Sequence, residues 1–516
     1  MKTWMAGFWL AVALGLASGA AADAVTEAGV VSGVREGRLS VYKGVPFAAP
    51  PLGELRWREP APLAPWRGVR AARDFAPACM QAGVSMPGEL PPKVSEDCLY
   101  LNVWTPAREP AERLPVLVWI YGGGFTNGSG AMPLYWGDQL ARRGVVVVTF
   151  NYRVGALGFM AHPELTLESP HHASGNYGLQ DQIAALMWVR RNIRAFGGDP
   201  GRVTIAGQSA GAASVSLLMA SPLAKGLFQQ AIGESGGVFE PLGLAPQYRL
   251  AHAQDDGVAL AHSLGVDTLA QLRALPAERL VSGKADELAH PVIDDYVLTA
   301  APYEVFARKA QSLVPVLVGS NAAEARSLAN HLEDTLAAGY DAETRKRWGP
   351  LPGALIDAYP HATDAQARTA RLEFERDLRF GWDDWAWARL QAAAGAPAYY
   401  YHFAHAPPFP PGSVYAGWGP SHFSELWYVF DHLSQEPTWR WTASDRRVSR
   451  LMAGYWTNFA KTGDPNGPGL PTWPRYQGGD ADVLHIGDDA VVGGVANLDK
   501  LKVFDGVYAQ LRGLTP

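Results

Sequence analysis

The chain has 516 residues, of which 44 are Lys or Arg and 50 are Asp or Glu, so its formal net charge is −6. Because 48% of the residues are hydrophobic and 18% are charged, the composition excludes an intrinsically disordered protein, which combines low hydrophobicity with high net charge. The slight acidic excess provides no basic surface for a nucleic acid. We therefore expect a folded, core-forming protein without a nucleic-acid partner.

The N-terminus has the pattern of a secretory signal peptide. A start that carries Lys2 precedes an apolar run over residues 4–16, and small residues follow. This order of charge, apolar core and small residues is typical of segments removed on export. An uncleaved anchor is the alternative, but the run is shorter than the roughly 20 residues that span a bilayer. We expect residues 1–24 to be a signal peptide and the protein to be secreted or periplasmic, with cleavage after Ala20, Ala22 or Ala24.

Export makes the two cysteines of the chain, Cys79 and Cys98, informative. Outside the cytosol, two cysteines separated by a short loop most simply form a disulfide, and two free buried thiols are the alternative. Neither belongs to a Cys-x-x-Cys pair, so the sequence predicts neither a zinc site nor a redox site there.

Apolar runs and periodicity predict the fold class. Nearly continuous apolar stretches predict strands that are buried on both faces, over residues 114–121, 145–150, 203–206 and 314–318. Residues 179–196 carry apolar side chains at helical spacing, and two glycines end this helix. Strands that alternate with helices predict an α/β protein whose large, mostly parallel central sheet is flanked by helices. No repeat or long linker interrupts residues 25–516, which we expect to form a single domain.

The pattern Gly-x-Ser-x-Gly occurs twice, around Ser209 and around Ser235. In a nucleophile elbow, this pattern joins a strand to a helix and exposes the serine hydroxyl above the sheet. Ser209 follows the strand at 203–206 and precedes a helix-forming run at 212–220, whereas glycines and a proline follow Ser235 closely. We expect Ser209 to be the nucleophile, and Ser235 to be a turn residue or to lie near the catalytic base.

Three consecutive glycines, residues 122–124, follow directly on the first of these strands. Alone, a glycine run is more often a plain loop. Paired with the elbow, it predicts an oxyanion hole, in which backbone N–H groups stabilise the negative charge of a tetrahedral intermediate. The expected donors are the N–H groups of Gly123, Gly124 and Ala210.

Several longer segments make the chain resemble the type-B carboxylesterases, the carboxylesterase/cholinesterase family of α/β-hydrolases. These segments run from near one end of the chain to the other, at residues 42–51, 95–103, 121–125, 151–153, 207–211 and 455–459. The resemblance implies the α/β-hydrolase fold, a small-molecule ester substrate and a Ser-His-Glu triad that works through an acyl-enzyme. It implies no cofactor and no metal.

The resemblance also points to the acid of the triad. In the family, this acid is a Glu that follows a strand, usually within Asp-Glu-Gly. Glu324 fits this position after the strand at 314–318, although Ala323 and Ala325 replace the usual neighbours. Asp295 is the fallback acid, but its segment resembles a family segment with a structural role.

The base must be found among 13 histidines. The family's histidine lies in Gly-x-x-His ahead of an apolar helix, and His422 matches this pattern. A histidine taken alone is more often structural or exposed. The order Ser209, Glu324, His422 is the chain order of nucleophile, acid and base in this fold.

Other matches and departures concern the structure near the site and the substrate. The resemblance implies that Cys79 and Cys98 form the family's first disulfide and that Arg56 and Glu96 form an ion pair.

Cholinesterases have Glu before the nucleophile and an aromatic residue in the disulfide loop that stacks on choline. This chain has Gln208, and no aromatic residue between the cysteines. The sequence therefore argues against choline esters.

The sequence leaves three alternatives open, which concern the pocket, the substrate and the functional class. Phe125, Trp418 and Trp427 are candidates for lining the substrate pocket, although aromatic residues are equally often part of a core. The same triad would serve an enzyme that acts on amides, lipids or polyesters. A non-catalytic binding protein, like the adhesion members of the superfamily, is the alternative from another functional class, but those members characteristically lack the nucleophile.

Overall fold

The computed structural model describes residues 21–84, 91–281 and 283–514. Most of the predicted signal peptide, residues 1–20, lies outside the described residues. The strands are β1 (Ala21–Thr26), β2 (Gly29–Glu36), β3 (Leu39–Pro46), β4 (Val69–Ala71), β5 (Ala78–Cys79), β6 (Val94–Ser95), β7 (Tyr100–Thr105), β8 (Leu114–Ile120), β9 (Val146–Phe150), β10 (Gly198–Gln208), β11 (Gln230–Glu234), β12 (Val316–Asn321), β13 (Ala398–Phe403), β14 (Val483–Ile486) and β15 (Ala490–Gly493).

The α-helices of the same described residues lie mostly between these strands. They are α1 (Asp138–Ala141), α2 (Gly155–Phe159), α3 (Pro163–Glu168), α4 (Tyr177–Asn192), α5 (Ala210–Ala220), α6 (Leu250–Ser263), α7 (Leu269–Ala274), α8 (Pro302–Ala307), α9 (Tyr340–Trp348), α10 (Gly353–Asp357), α11 (Asp364–Arg376), α12 (Trp382–Ala393), α13 (Leu426–Val429), α14 (Ala443–Thr462) and α15 (Leu498–Leu511). A π-helical turn, Asp377–Gly381, joins α11 to α12.

One large mixed sheet organises the molecule. Its strand order is β1-β2-β3-β7-β9-β8-β10-β11-β12-β13-β14-β15, with β4 paired to β2. The six pairings from β9 to β14 are parallel, whereas the strands before β9 in this order and the last pair are antiparallel. Helices cover both faces of the parallel region, which is why its strands are continuous apolar runs rather than alternating ones.

The four predicted strands are all present in the centre of this sheet. They correspond to β8, β9, β10 and β12, and the side chains of β9 and β12 are buried throughout. The predicted helix at 179–196 is α4, followed by a short 3₁₀ turn, Ile193–Phe196. The expected α/β architecture is therefore confirmed, with antiparallel strands added at both ends of the sheet.

Strand β1 contains residues that the sequence assigned to the signal peptide. It pairs with β2 in antiparallel register, from Ala21 opposite Val34 to Thr26 opposite Gly29. Ala22 and Ala24 are buried while Asp23 is exposed. This alternation is the pattern of an edge strand that packs one face on the core.

Two structural expectations are confirmed near the N-terminal part of the sheet. Cys79 and Cys98 form a disulfide. The guanidinium of Arg56 donates two hydrogen bonds to the carboxylate of Glu96, at 2.7 and 2.6 Å. Within the described ranges, the helices include none that is both long and apolar enough to cross a membrane.

Candidate active site

The carboxyl ends of the central parallel strands meet at one edge of the sheet. Ser209 follows β10, the glycines at 122–124 follow β8, and Glu324 follows β12. His422 lies in the segment after β13, and Ser235 directly follows β11. In open α/β sheets, ligands bind at this carboxyl edge. Ser209 and His422 are more than 200 residues apart in the chain. The topology nevertheless brings the segments of both, together with the glycine loop, to the same edge of the sheet.

Ser209 occupies a sharp turn between β10 and α5. Its backbone has φ 57° and ψ −125°, a conformation that costs a non-glycine residue energy and is concentrated at functional sites. Its N–H donates to the carbonyl of Glu234 at 2.9 Å, which ties the turn to the end of β11. A Cβ on Gly211 would lie 2.0 Å from the carbonyl oxygen of Ile120. The elbow therefore packs against β8 only with glycine at 211.

His422 and Glu324 form a buried pair. The ring Nδ1 of His422 lies 2.6 Å from Oε2 of Glu324, and the two side chains are 1% and 0% exposed. The other carboxylate oxygen accepts the N–H of Asn321 at 2.6 Å. A carboxylate at Nδ1 leaves Nε2 as the basic ring nitrogen. The side-chain nitrogen of Gln208, the residue before Ser209, lies 3.2 Å from that Nε2.

The glycine loop after β8 forms a tight turn beside the elbow. Gly123 has φ 118°, and a Cβ there would lie 2.3 Å from the carbonyl oxygen of Asn127. Its own carbonyl accepts the N–H groups of Thr126 and Asn127, which fixes the loop. Gly124 and Ala210 line the same cavity as Ser209. The loop thus brings backbone N–H groups to the region of the elbow, as an oxyanion hole requires.

A cavity of about 510 Å³ opens at Ser209. Much of its wall is apolar, with contributions from Phe125, Val238, Leu244, Leu351, Leu378 and Phe380. Four charged residues also line it, namely Glu240, Asp383, Arg347 and Arg379. A mostly apolar cavity with a few polar groups is typical of small-molecule sites.

The expectation for aromatic residues in the pocket is correct only for Phe125. Trp418 and Trp427 are not part of the cavity wall at Ser209. Both pack against Phe409 and Tyr415, with ring centroids 5.3 to 6.4 Å apart. This aromatic cluster is built by the Pro-rich segment after β13, whose rings bury one another instead of facing the cavity.

Three buried carboxyl groups lie near the ends of β11 and β12, since Glu234 ends β11, Asp384 accepts the N–H of Gly236 and Glu425 contacts Asn321. Burial raises the pKa of Glu234 to about 8, although its hydrogen bond from Trp456 at 2.7 Å acts in the opposite direction. Burial raises the pKa of Glu425 and of Asp384 well above the usual range, and the charge of Glu324 raises both further. Burial therefore favours the protonated form of all three groups.

The two alternative site residues have other surroundings. Ser235 is buried with φ 55°, and its hydroxyl has no hydrogen-bond partner among the described residues. Asp295 is exposed and forms no ion pair with His422 in the described chain. The adjacent Asp294 instead accepts the N–H groups of residues 296–298, which is a structural role for this segment.

Phe380 and Arg379 belong to the site, although the sequence analysis missed them. Both lie on the π-turn between α11 and α12 and line the cavity. The ring of Phe380 stacks on that of His422, with centroids 4.5 Å apart and planes inclined by 22°. Neither residue belongs to a motif, and no spacing along the chain links position 380 to position 422.

The described residues include one group of side chains that could hold a metal ion, and this group lies apart from the cavity at Ser209. Within the described residues, one group of three side chains could bring ligand atoms within 4.8 Å of one another, and it consists of His331, Glu333 and Asp334. All three are exposed, and none lines the cavity at Ser209.

Known proteins match most of the chain. The model of the carboxylesterase family matches residues 21–503. The chain is 39% identical over 466 residues to the fumonisin B1 esterase of Sphingopyxis macrogoltabida. The aligned region covers 88% of this chain and 84% of that protein. It is 36% identical over 477 residues to the para-nitrobenzyl esterase of Bacillus subtilis, with coverage of 87% and 92%. A solved structure of a thermophilic PNB esterase superposes with a TM-score of 0.82 at 33% identity, over 93% of this chain and 99% of that chain.

These matches extend over most of the chain and not only over isolated motifs. The family match includes the sheet, the elbow and the segment of His422. The matched solved structure shares the arrangement of 93% of this chain. The chain therefore belongs to the carboxylesterase family, has the α/β-hydrolase fold in a single domain, and is a carboxylic ester hydrolase.

Proposed function

We propose that Ser209, His422 and Glu324 form the catalytic triad and that ester hydrolysis proceeds through an acyl-enzyme on Ser209. The observation that carries this proposal is the strained turn at Ser209, which lines the cavity and directly follows Gln208, whose side-chain amide contacts the buried imidazole–carboxylate pair. A serine hydroxyl is a weak nucleophile until a base accepts its proton. The imidazole of His422 supplies such a base.

In the first half of the reaction, Nε2 of His422 accepts the proton of Ser209 as Oγ attacks the ester carbonyl carbon. Glu324 fixes the ring orientation through Nδ1 and stabilises the imidazolium that forms. The carbonyl oxygen becomes an oxyanion, which accepts hydrogen bonds from the N–H groups of Gly123, Gly124 and Ala210. The intermediate then expels the alcohol, which takes the proton from His422, and leaves the acyl group on Ser209.

In the second half, water attacks the acyl carbonyl while His422 accepts a proton from that water. The tetrahedral intermediate collapses, the carboxylic acid leaves, and Ser209 regains its proton from the imidazolium. The same N–H groups stabilise both intermediates, since the oxyanion forms at the same position each time. The chemistry needs no cofactor.

The substrate is a small-molecule ester other than a choline ester. Gln208 provides a neutral amide where a cholinesterase has a carboxylate, and residues 80–97 contain no aromatic side chain. Recognition of a quaternary ammonium group depends on aromatic faces. The loop closed by the disulfide offers none.

Two serine variants test the triad. Ser209→Ala should lower kcat on para-nitrophenyl esters by at least about 10,000-fold, the loss typical of removing a catalytic serine. Ser235→Ala is the matched control, because it removes the hydroxyl from the second Gly-x-Ser-x-Gly segment and should leave most of kcat. Wild-type activity in Ser209→Ala, with a loss in Ser235→Ala, would contradict the proposal.

We further propose that the protein is exported and that cleavage follows Ala20 rather than Ala22 or Ala24. Cleavage after Ala20 would leave all six residues of β1 for pairing with β2. Either later site would remove backbone groups from this pairing. Mass spectrometry of the mature protein tests this, and an N-terminus at residue 23 or 25 would contradict it.

A further inference from the structure

The π-turn between α11 and α12 brings a cation to the cavity at Ser209. Leu378, Arg379 and Phe380 of this turn all line the cavity. A π-turn adds one residue to a helix and is frequent at functional sites. Because Phe380 stacks on His422, its neighbour Arg379 is held near the reacting groups.

Arg379 differs from the fully buried arginines in its partners. It is partly buried, and its guanidinium lies 5.4 Å from the ring centroid of Phe380 and 5.7 Å from that of Trp348. Burial lowers its pKa, while more distant carboxylates raise it. In the described chain, no carboxylate lies within 4 Å of Arg379, whereas each fully buried arginine has one: Arg56, Arg153, Arg371 and Arg376.

The other charged groups of the cavity leave this cation available. Arg347 already donates to Glu375 at 3.1 Å. Burial raises the pKa of Glu240 and, together with the charge of Glu240, raises that of Asp383 well above the usual range. Neither of these carboxyls pairs with Arg379 in the described chain, and the carboxylates whose charge raises its pKa are Glu375 and Glu324. The guanidinium of Arg379 is therefore available to bind a negatively charged group of the substrate.

We propose that Arg379 forms an anion subsite, so that the preferred substrates are esters that carry a separate carboxylate. This inference rests on the ester hydrolysis proposed above. The guanidinium would donate two parallel N–H groups to the carboxylate, a geometry that arginine favours. The rings of Phe380 and Trp348 would hold the guanidinium plane in place through cation–π contacts.

Matched pairs of esters test this subsite. For a carboxylate on the acyl side, monomethyl adipate is compared with methyl hexanoate. For a carboxylate on the alcohol side, the butyrate ester of para-hydroxymethylbenzoate is compared with benzyl butyrate. The readout is the ratio of kcat/KM for the charged ester to that for the neutral ester, in the wild type and in three variants, Arg379→Met, Arg379→Lys and Lys346→Met.

In at least one pair, Arg379→Met should lower this ratio by about tenfold or more, mainly through KM, as expected for a lost hydrogen bond to a charged group. Arg379→Lys should retain part of the ratio. Lys346→Met is the matched control, because it removes an exposed charge of α9 that does not line the cavity, and it should retain the whole ratio.

The proposal is overturned if Arg379→Met lowers kcat/KM equally for both members of each pair, or if Lys346→Met lowers the ratio as much. The wild type gives a test that does not require a variant to fold. Adipate should inhibit hydrolysis of benzyl butyrate competitively and more strongly than adipamide, its uncharged isostere, and equal inhibition overturns the proposal. Failure of the wild type on every ester of both kinds, charged and neutral, would instead refute the proposed function, and with it the subsite.

Discussion

The side-chain nitrogen of Gln208 lies 3.2 Å from Nε2 of His422, the ring nitrogen that acts as the base in the proposed mechanism. Gln208 directly precedes Ser209, the proposed nucleophile, so this contact places a neutral amide at the imidazole of the proposed base. Position 208 is fully buried. The charge at this position should therefore act on the imidazole with little screening by solvent.

Gln208→Glu should move the acid limb of the kcat/KM profile to higher pH by about one unit, because a nearby carboxylate favours the imidazolium form. The enzyme needs the neutral imidazole, so activity would be lost at a higher pH than in the wild type. Gln208→Met removes the amide without adding charge and should leave the limb in place. Equal profiles for Gln208→Glu and the wild type would show that position 208 has no electrostatic effect on the base.

Phe380→Leu should lower kcat by about three- to tenfold, since an aromatic pair is worth about 0.5–1.5 kcal/mol beyond its buried area. The ring of Phe380 covers one face of His422 and restricts its orientation. Phe196→Leu is the control, because Phe196 is buried against Tyr42 and Trp188 far along the chain from the site. If both variants lose kcat equally, the effect is general loss of packing rather than positioning of the base.

Glu234→Gln should become more stable relative to the wild type as pH rises. Burial raises the pKa of Glu234 to about 8, so between about pH 4.5 and 8 the folded wild type holds a proton that the unfolded chain has released. Wild-type stability therefore falls through this window, while the glutamine keeps the hydrogen bond from Trp456 without titrating. The difference should reach the order of 2–4 kcal/mol.

Urea unfolding at both ends of that pH window measures this difference. Glu425 remains in the variant and also titrates, so the variant retains some pH dependence. The difference between the two proteins therefore contains the titration of Glu234 together with its effect on Glu425. A difference in unfolding free energy that stays constant with pH would contradict the account of this buried carboxyl.

Replacing both Cys79 and Cys98 by alanine should lower the free energy of unfolding by about 3 kcal/mol, the chain-entropy value for a loop of this size. Their sequence separation is 19 residues. Reductant added to the wild type should produce a similar loss, whereas the double variant should not respond to it. Activity on esters should persist in the folded variant, since neither cysteine lines the cavity at Ser209.

The sequence predicted the parts of the fold and site that depend on local patterns. Continuous apolar runs identified β8, β9, β10 and β12 because strands in a parallel sheet are buried on both faces. The elbow at Ser209 was recognisable because close packing against Ile120 requires glycine at 211. Strand β1 was missed, since its small alternating residues also suit a signal-peptide cleavage region.

Other parts of the site depend on contacts between distant segments. Glu324 and His422 are 98 residues apart, and only the family resemblance singled them out from other carboxylates and histidines. Phe380 and Arg379 reach the cavity through one π-turn, and apolar periodicity carries no sign of such an insertion. The sequence left open whether Trp418 and Trp427 line the pocket, because an aromatic cluster and an aromatic pocket wall have the same composition.

The most direct test of the account is the site of covalent modification by an organophosphate, which reacts with a serine that a neighbouring base activates. Peptide mapping of the inactivated wild type should find one modified residue per chain, Ser209, with loss of esterase activity in proportion to labelling. Ser209→Ala should remain unlabelled, and Ser235→Ala should be labelled as the wild type is. Modification at Ser235, or full esterase activity with Ser209 labelled, would contradict the assignment of Ser209 as the nucleophile.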